Sequence, residues 1–135
     1  MISYDTNVLI YALETSDDIG LQAQSIVSRG ESEGATLSII VKQELLTGAL
    51  LRGVDTGNID LALASLGATT FRDVDESVVD KALELTKKYG RKCMQNDAII
   101  IATAILAGAR VFYTNDDQLL RAGITEIRIC RLDGR

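Results

Sequence analysis

The sequence contains no histidine and only two cysteines, Cys93 and Cys130. Without histidine, Ser-His-Asp catalysis, Cys-His catalysis and the His-Glu-x-x-His metalloproteases are excluded. The two cysteines lie far apart and lack the Cys-x-x-Cys spacing of a zinc site. We therefore interpret both as buried, reduced thiols, and we expect any acid–base chemistry to come from carboxylates, lysines or metal-bound water.

The sequence also lacks the features of a secretory signal or a membrane span. Its first five residues include no basic side chain and end at Asp5, whereas a signal begins with a positively charged region. The longest uncharged stretch, residues 98–109, is shorter than the roughly 18 apolar residues that a span needs. We expect a cytoplasmic protein with no membrane anchor.

Length and charge point to one domain with an uneven electrostatic surface. The 135 residues are 47% hydrophobic, which is enough for a sizeable core, and we predict a single domain over residues 1–135. The net charge is −5, yet residues 1–80 hold 4 basic and 13 acidic side chains, while residues 81–135 hold 10 basic and 6 acidic ones. Such asymmetry can create a basic face on an acidic protein.

Short apolar runs alternate with longer segments of helical periodicity along the whole chain. We predict strands at residues 2–4, 35–38, 69–72, 111–113 and 126–130. We predict helices at residues 8–13, 19–29, 39–52, 59–66, 75–89, 96–108 and 117–122, with breaks at 30–34 and 53–58. This order predicts an α/β fold, a three-layer α/β/α sandwich around a central, mostly parallel sheet of four to five strands.

Four carboxylates are predicted to meet at one edge of that sheet. Asp5 and Asp116 directly follow strands, and we expect Glu44 and Asp97 to lie in the first turns of helices. Ligands of parallel α/β sheets bind at the carboxyl ends of the strands. Carboxylates that share a small space require either added protons or a cation, and hard oxygen ligands select Mg²⁺ or Mn²⁺. Such an ion lowers the pKa of bound water and orients a phosphodiester, as in metal-dependent nucleases.

Each of these acids also has an ordinary structural explanation. Asp5 is a suitable helix cap, and Asp97 would interact favourably with a helix dipole. Asp116 and Asp117 fall in a turn, where Asp is common. Glu44 is close to an apolar face, but a solvent-exposed position is equally compatible with the pattern.

Four ordered motifs resemble those of the PIN-domain ribonucleases, and within them the VapC-type toxins of toxin–antitoxin pairs. They are Tyr4-Asp5-Thr6-Asn7 before an apolar helix, Glu44 in the third helix, the run Asn96 to Ala104, and Val111 to Asp116. The resemblance covers nearly the whole chain and implies a PIN-like fold.

The resemblance implies a Mg²⁺-dependent (or Mn²⁺-dependent) nuclease that cleaves single-stranded RNA. By it, Asp5, Glu44, Asp97 and Asp116 would be the catalytic acids, and Asp5, Asp97 and Asp116 would bind the metal. Asn7, Thr114 and Asp117 would be supporting residues. Gln118 stands where many relatives carry a further acid. A VapB-like antitoxin and a second copy of the chain would be its protein partners.

A basic cluster, which comprises Lys87, Lys88, Arg91 and Lys92, precedes Asp97 closely and is a candidate for binding RNA phosphates. Cations at a helix C-terminus also have an ordinary explanation in the helix dipole. Tyr89, which lies within the same stretch, is a candidate for stacking on a base.

Three alternatives to a toxin stay open. The chain could be a housekeeping RNA-processing nuclease of the same family. It could instead be a non-catalytic signalling or binding module with an acidic pocket, because fold alone does not decide function. A phosphatase acting on small phosphoesters is the third alternative.

Overall fold

Five parallel strands form the centre of the computed structural model, which describes all of residues 1–135. Strands β1, β4 and β5 pair in that order, β2 pairs with β3, and a parallel bridge between Ile2 and Ala35 joins the two sets. The spatial order is therefore β3-β2-β1-β4-β5. The strands are β1 Ser3–Tyr4, β2 Ala35–Ser38, β3 Thr69–Arg72, β4 Val111–Tyr113 and β5 Arg128–Cys130.

Seven helices surround this sheet. Successive residues of β1 and β4 point to opposite faces of the sheet and are all buried, so both faces are covered. The predicted three-layer α/β/α architecture with a parallel sheet is confirmed. The helices are α1 Thr6–Glu14, α2 Asp18–Glu33, α3 Ile39–Leu51, α4 Thr56–Ala64, α5 Glu76–Tyr89, α6 Gln95–Ala107 and α7 Asp117–Arg121, with a 3₁₀ turn at Gly90–Lys92.

The predicted break at residues 30–34 is wrong, because α2 continues through Gly30 to Glu33. A Cβ atom at Gly30 would stand 3.0 Å from the Cβ of Ala35 and 3.6 Å from Cε1 of Tyr4. Glycine therefore lets the helix approach the sheet closely at this point, and its usual helix-breaking tendency is overridden by packing.

Two further boundaries differ from the sequence-based expectation. Helix α4 begins at Thr56, three residues before the predicted start, because the carboxylate of Asp55 accepts a hydrogen bond from the backbone N–H of Gly57 and caps the helix. Strand β5 begins at Arg128, two residues later than predicted. The side chain of Glu126 is engaged instead by Tyr89 and Thr125, in a loop that precedes the strand.

The core is one cluster of 29 buried hydrophobic residues. Cys93 and Cys130 both belong to it and are free thiols, as predicted. Burial raises the pKa of Cys93 to about 11, so its reactive thiolate form is scarce near neutral pH. No helix combines the length and the apolar character that crossing a bilayer would require.

Candidate active site

Asp5 stands at the carboxyl end of β1 and caps the N-terminus of α1. One carboxylate oxygen accepts a hydrogen bond from the backbone N–H of Thr6 at 2.8 Å, and the other accepts one from the hydroxyl of Thr114 at 2.9 Å. The side chain is almost fully buried. Burial raises the pKa of Asp5 to about 6, and the negative charges of Glu44 and Asp116 add to the rise.

Asp116 occupies the corresponding position after β4, the strand that pairs with β1. It follows β4 closely and caps α7, where its Oδ1 accepts from the backbone N–H of Gln118 at 2.8 Å. Because β1 and β4 pair in parallel, with Tyr4 opposite Tyr113, the two capping acids lie at the same edge of the sheet. The buried hydroxyl of Thr114 connects them, since it accepts from the backbone N–H of Asp116 at 3.0 Å and donates to Asp5.

Glu44 joins the site from α3, in the second turn of that helix and not in the first turn as expected. Its Oε1 accepts a hydrogen bond from the hydroxyl of Thr6 at 2.6 Å, and its Oε2 accepts one from the amide of Asn96 at 3.4 Å. Thr6 and Asn96 are the chain neighbours of Asp5 and Asp97. Glu44 is thus held between the starts of α1 and α6.

Asp97 lies in the first turn of α6, partly buried. Burial raises its pKa to about 6, and Asp5, Asp116 and Glu44 contribute further increases in that order. Asp5 and Asp97 thus both respond to the charges of Glu44 and Asp116. No Lys or Arg side chain forms an ion pair with any of them, although eight ion pairs occur elsewhere in the protein.

The donor chemistry of this cluster suits a hard divalent cation, because all four groups are carboxylates and no basic side chain neutralises them. As the side chains stand, however, no group of three or more Asp, Glu or Cys residues is arranged to hold a metal ion. Both oxygens of Asp5 and one of Asp116 accept hydrogen bonds from the chain's own donors. The structure brings the acids together without presenting a finished coordination sphere.

The three predicted supporting residues differ in how directly they contact the acids. Thr114 contacts two of the acids directly. Asn7 accepts a hydrogen bond from the backbone N–H of Asn115 at 3.4 Å, so it supports the turn that leads to Asp116. Asp117 is exposed and forms ion pairs with Arg131 at 3.3 Å and Arg121 at 3.9 Å.

Thr6 and Asn96 were not predicted to take part in the site, although both lie within the quoted motifs. Each is the chain neighbour of a predicted acid, and this was the one signal in the sequence. Their hydrogen bonds to Glu44 join residues that are 38 and 52 positions apart in the chain. Gln95 was also missed. Its φ of +53° is uncommon for a residue other than glycine, and backbone strain of this kind concentrates at functional sites.

An open cleft of about 500 Å³, here called the acid cleft, is lined by Glu44, Met94, Gln95, Asn96 and Asp97.

The basic cluster lies close to the segment that carries Asp116, because the side chain of Gln118 donates to the backbone carbonyl of Arg91 at 3.4 Å. Lys88 pairs with Glu126. The other members of the basic cluster form no ion pair.

Comparison with known proteins gives one family and one fold. The sequence profile of the PIN domain matches residues 2–124. No curated protein matches the chain by sequence.

Three solved structures illustrate the fold, all at 20% identity. VapBC2 from Rickettsia felis, bound to a DNA fragment from its promoter, has a TM-score of 0.73 and covers 97% of this chain and 98% of its own. DNA-bound VapBC from Salmonella typhimurium has a TM-score of 0.72 with coverages of 98% and 99%. VapC20 from Mycobacterium tuberculosis, a toxin that cleaves the sarcin-ricin loop, has a TM-score of 0.70 with coverages of 95% and 99%.

The raised pKa of Asp97 predicts a pH-dependent cost of folding. The folded state binds the proton more tightly than the unfolded state, whose pKa is near 3.8. Stability therefore falls as pH rises from about 4 to above 6. With divalent ions chelated, we expect Asp97→Asn to increase the free energy of unfolding at pH 7.5 by about 1 kcal/mol after allowance for solvent screening.

Urea denaturation at pH 4 and pH 7.5 measures this difference, and most of the gain should disappear at pH 4. Asp80→Asn, an exposed acid on α5, is the matched control and should show no such pH dependence. Equal effects of Asp97→Asn at both pH values would contradict the raised pKa of Asp97 that burial and the neighbouring acids cause.

Proposed function

Because the chain belongs to the PIN-domain family, we propose that it is a metal-dependent ribonuclease that hydrolyses phosphodiester bonds of RNA at the acid cleft. The observation that carries this proposal is the convergence of Asp5, Glu44, Asp97 and Asp116, with the pKa values of Asp5 and Asp97 raised to about 6 and no basic side chain paired to the cluster. Such a cluster favours binding of a cation over any use of the acids alone.

Asp5, Asp97 and Asp116 would hold Mg²⁺ or Mn²⁺, with Glu44 beside them. The bound cation would neutralise the acids and activate water for attack on a phosphodiester. Thr114 orients Asp5 and the backbone of Asp116, and Thr6 orients Glu44. These hydroxyl groups fix the directions in which the carboxylate oxygens point, as supporting groups around a metal commonly do.

The basic cluster supports RNA as the substrate. Lys87, Arg91 and Lys92 carry positive charges that no acid pairs. The segment that holds them meets α7, which Asp116 caps, where the backbone carbonyl of Arg91 accepts a hydrogen bond from the side chain of Gln118. Phosphate groups of a nucleic acid bind such cations and release counter-ions. A small phosphoester would not need this extended positive surface, which weighs against the phosphatase alternative.

Cleavage of RNA tests the catalytic assignment. Purified protein with Mg²⁺ or Mn²⁺ should cleave unstructured RNA, and chelation with EDTA should abolish the activity. Asp97→Asn should reduce kcat at least about 100-fold, because the variant removes a carboxylate that the metal-dependent step needs. Asp80→Asn should retain wild-type activity within about twofold. Equal activity of wild type, Asp5→Asn and Asp97→Asn would refute the assignment.

Thr6 is expected to act as a positioning residue. Its backbone N–H donates to Asp5 and its hydroxyl donates to Glu44, so Thr6→Val keeps the first bond and removes the second. We expect kcat to fall roughly 10- to 100-fold with little change in KM. Thr6→Ser, which retains the hydroxyl, should restore most of the activity. If Thr6→Val and Thr6→Ser are equally impaired, the methyl group and its packing matter and the hydrogen bond does not.

We further propose that the chain is a toxin of a toxin–antitoxin pair that acts in the cytoplasm as a homodimer. Support comes from the whole-length likeness to the VapBC and VapC structures, whose toxins share this fold. The antitoxin would be a VapB-like protein that covers the acid cleft. A housekeeping RNA-processing nuclease is the alternative with the same chemistry.

Growth of a bacterial host distinguishes these two roles. Induced expression of the wild type should arrest growth, Asp97→Asn should not, and coexpression of its VapB-like antitoxin should restore growth. Normal growth despite RNA cleavage by the purified protein would favour the housekeeping role over the toxin.

A further inference from the structure

A second groove continues from the acid cleft along α3. This groove, here called the α3 groove, has a volume of about 370 Å³ and is lined by Gln43, Glu44, Thr47, Gly48, Leu51 and Asn96. It shares Glu44 and Asn96 with the acid cleft, so the two cavities adjoin at these residues. We propose that the α3 groove binds one nucleobase of the RNA strand, next to the phosphate that is cleaved.

The charge of the α3 groove argues that its occupant is not a phosphate. Glu44 is its only charged lining residue, and both oxygens of that carboxylate already accept hydrogen bonds from Thr6 and Asn96. A phosphate group would face this negative charge, and the guanidinium beside Gly48, that of Arg52, is already paired with Glu14. A base, in contrast, is neutral and would meet no such repulsion. The proposal of a base site rests on the proposed ribonuclease function.

The polar groups of the α3 groove match the edge of a base. Gln43 and Thr47 are exposed, and their side chains form no hydrogen bond within the protein, while the carbonyl oxygen of the Asn96 side chain also has no partner. Together these side chains offer both hydrogen-bond donors and hydrogen-bond acceptors. RNA-binding proteins read unpaired bases through hydrogen bonds of this type to base edges.

The shape of the α3 groove also depends on the helix that forms it. Gln43, Thr47 and Leu51 follow one another at intervals of four residues and therefore lie along one stripe of α3. Gly48 stands within the helix, where glycine costs about 1 kcal/mol relative to alanine. A Cβ atom added at Gly48 would stand 3.1 Å from Nη1 of Arg52, so a larger side chain at this wall of the groove would displace the guanidinium. The exposed side chain of Leu51 supplies an apolar surface for a flat ring.

The α3 groove and the basic cluster complement each other. The basic cluster lies on the side of the acids that carries Asp116, whereas the α3 groove extends from Glu44. A single strand that crosses the acid cleft would place phosphates on the cations at one side and a base in the neutral groove at the other. The base of an unpaired nucleotide is free to enter such a groove, so the proposed base site would act on a single-stranded segment of RNA.

The test is cleavage of a pool of single-stranded RNAs of random sequence, with the ends of the products sequenced. The wild type should enrich particular bases at one position beside the cleaved bond. Gly48→Leu and Gln43→Ala should raise KM about tenfold and reduce the enrichment at that one position to less than half. Leu50→Ala, exposed on α3 outside the groove, should match the wild type, and thermal unfolding should show that every variant folds.

Binding supplies a measurement that does not depend on catalysis. A fluorescent single-stranded oligoribonucleotide should bind the Asp97→Asn protein at least fivefold more tightly than the Gly48→Leu/Asp97→Asn double variant. If the wild type cleaves RNA but Gly48→Leu and Gln43→Ala alter neither the base distribution nor KM, the base site is refuted and the ribonuclease assignment stands. If no RNA is cleaved, the assignment fails, and equal oligoribonucleotide binding by the two Asp97→Asn proteins would refute the base site as well.

A protein occupant would produce a different result. If sedimentation shows that Gly48→Leu converts a dimer of the wild type to a monomer while RNA selection is unchanged, the α3 groove is a contact between subunits. That outcome would also overturn the proposal of a base site.

Discussion

The hydroxyl of Thr114 is the contact around which the acid cluster is organised, because it donates to the buried carboxylate of Asp5 and accepts from the backbone of Asp116. This double contact requires the parallel pairing of β1 with β4, which places both acids at the same edge of the sheet. It also offsets part of the cost of burying a charged group without an ionic partner. Burial, together with the charges of the neighbouring acids, still raises the pKa of Asp5 and Asp97 to about 6.

Structural and functional explanations of these acids are compatible. Asp5 and Asp116 are both helix caps, as their positions after strands suggested, yet capping uses only some of the available lone pairs. A carboxylate has about four such positions. Capping therefore fixes the direction of each carboxylate while it leaves further capacity for a ligand. The same backbone donors that begin α1 and α7 thus also orient the candidate active site.

The surface around the acids is divided by charge. Cations accumulate at the end of α5 and in the 3₁₀ turn that follows, whereas Glu44 is the only charged residue that lines the α3 groove. The net charge of −5 conceals this division, since the excess of acids lies mainly in the first 80 residues. The uneven charge along the chain indicated a basic face, and the fold decides that this face adjoins the segment that carries Asp116.

Local sequence patterns determined the strands, the parallel sheet and the four acids, because strand ends and helix starts carry short-range signals in hydrophobic periodicity and capping residues. The roles of Asp5, Glu44, Asp97 and Asp116 in catalysis stay predictions. Only the tertiary structure decided that Thr6 and Asn96 meet at Glu44, that α2 passes through Gly30 against Ala35, and that Gln95 adopts a positive φ. The physical reason is that the contacts of Thr6 and Asn96 with Glu44 join residues far apart in the chain, whereas the preferences read from a sequence act over a few residues.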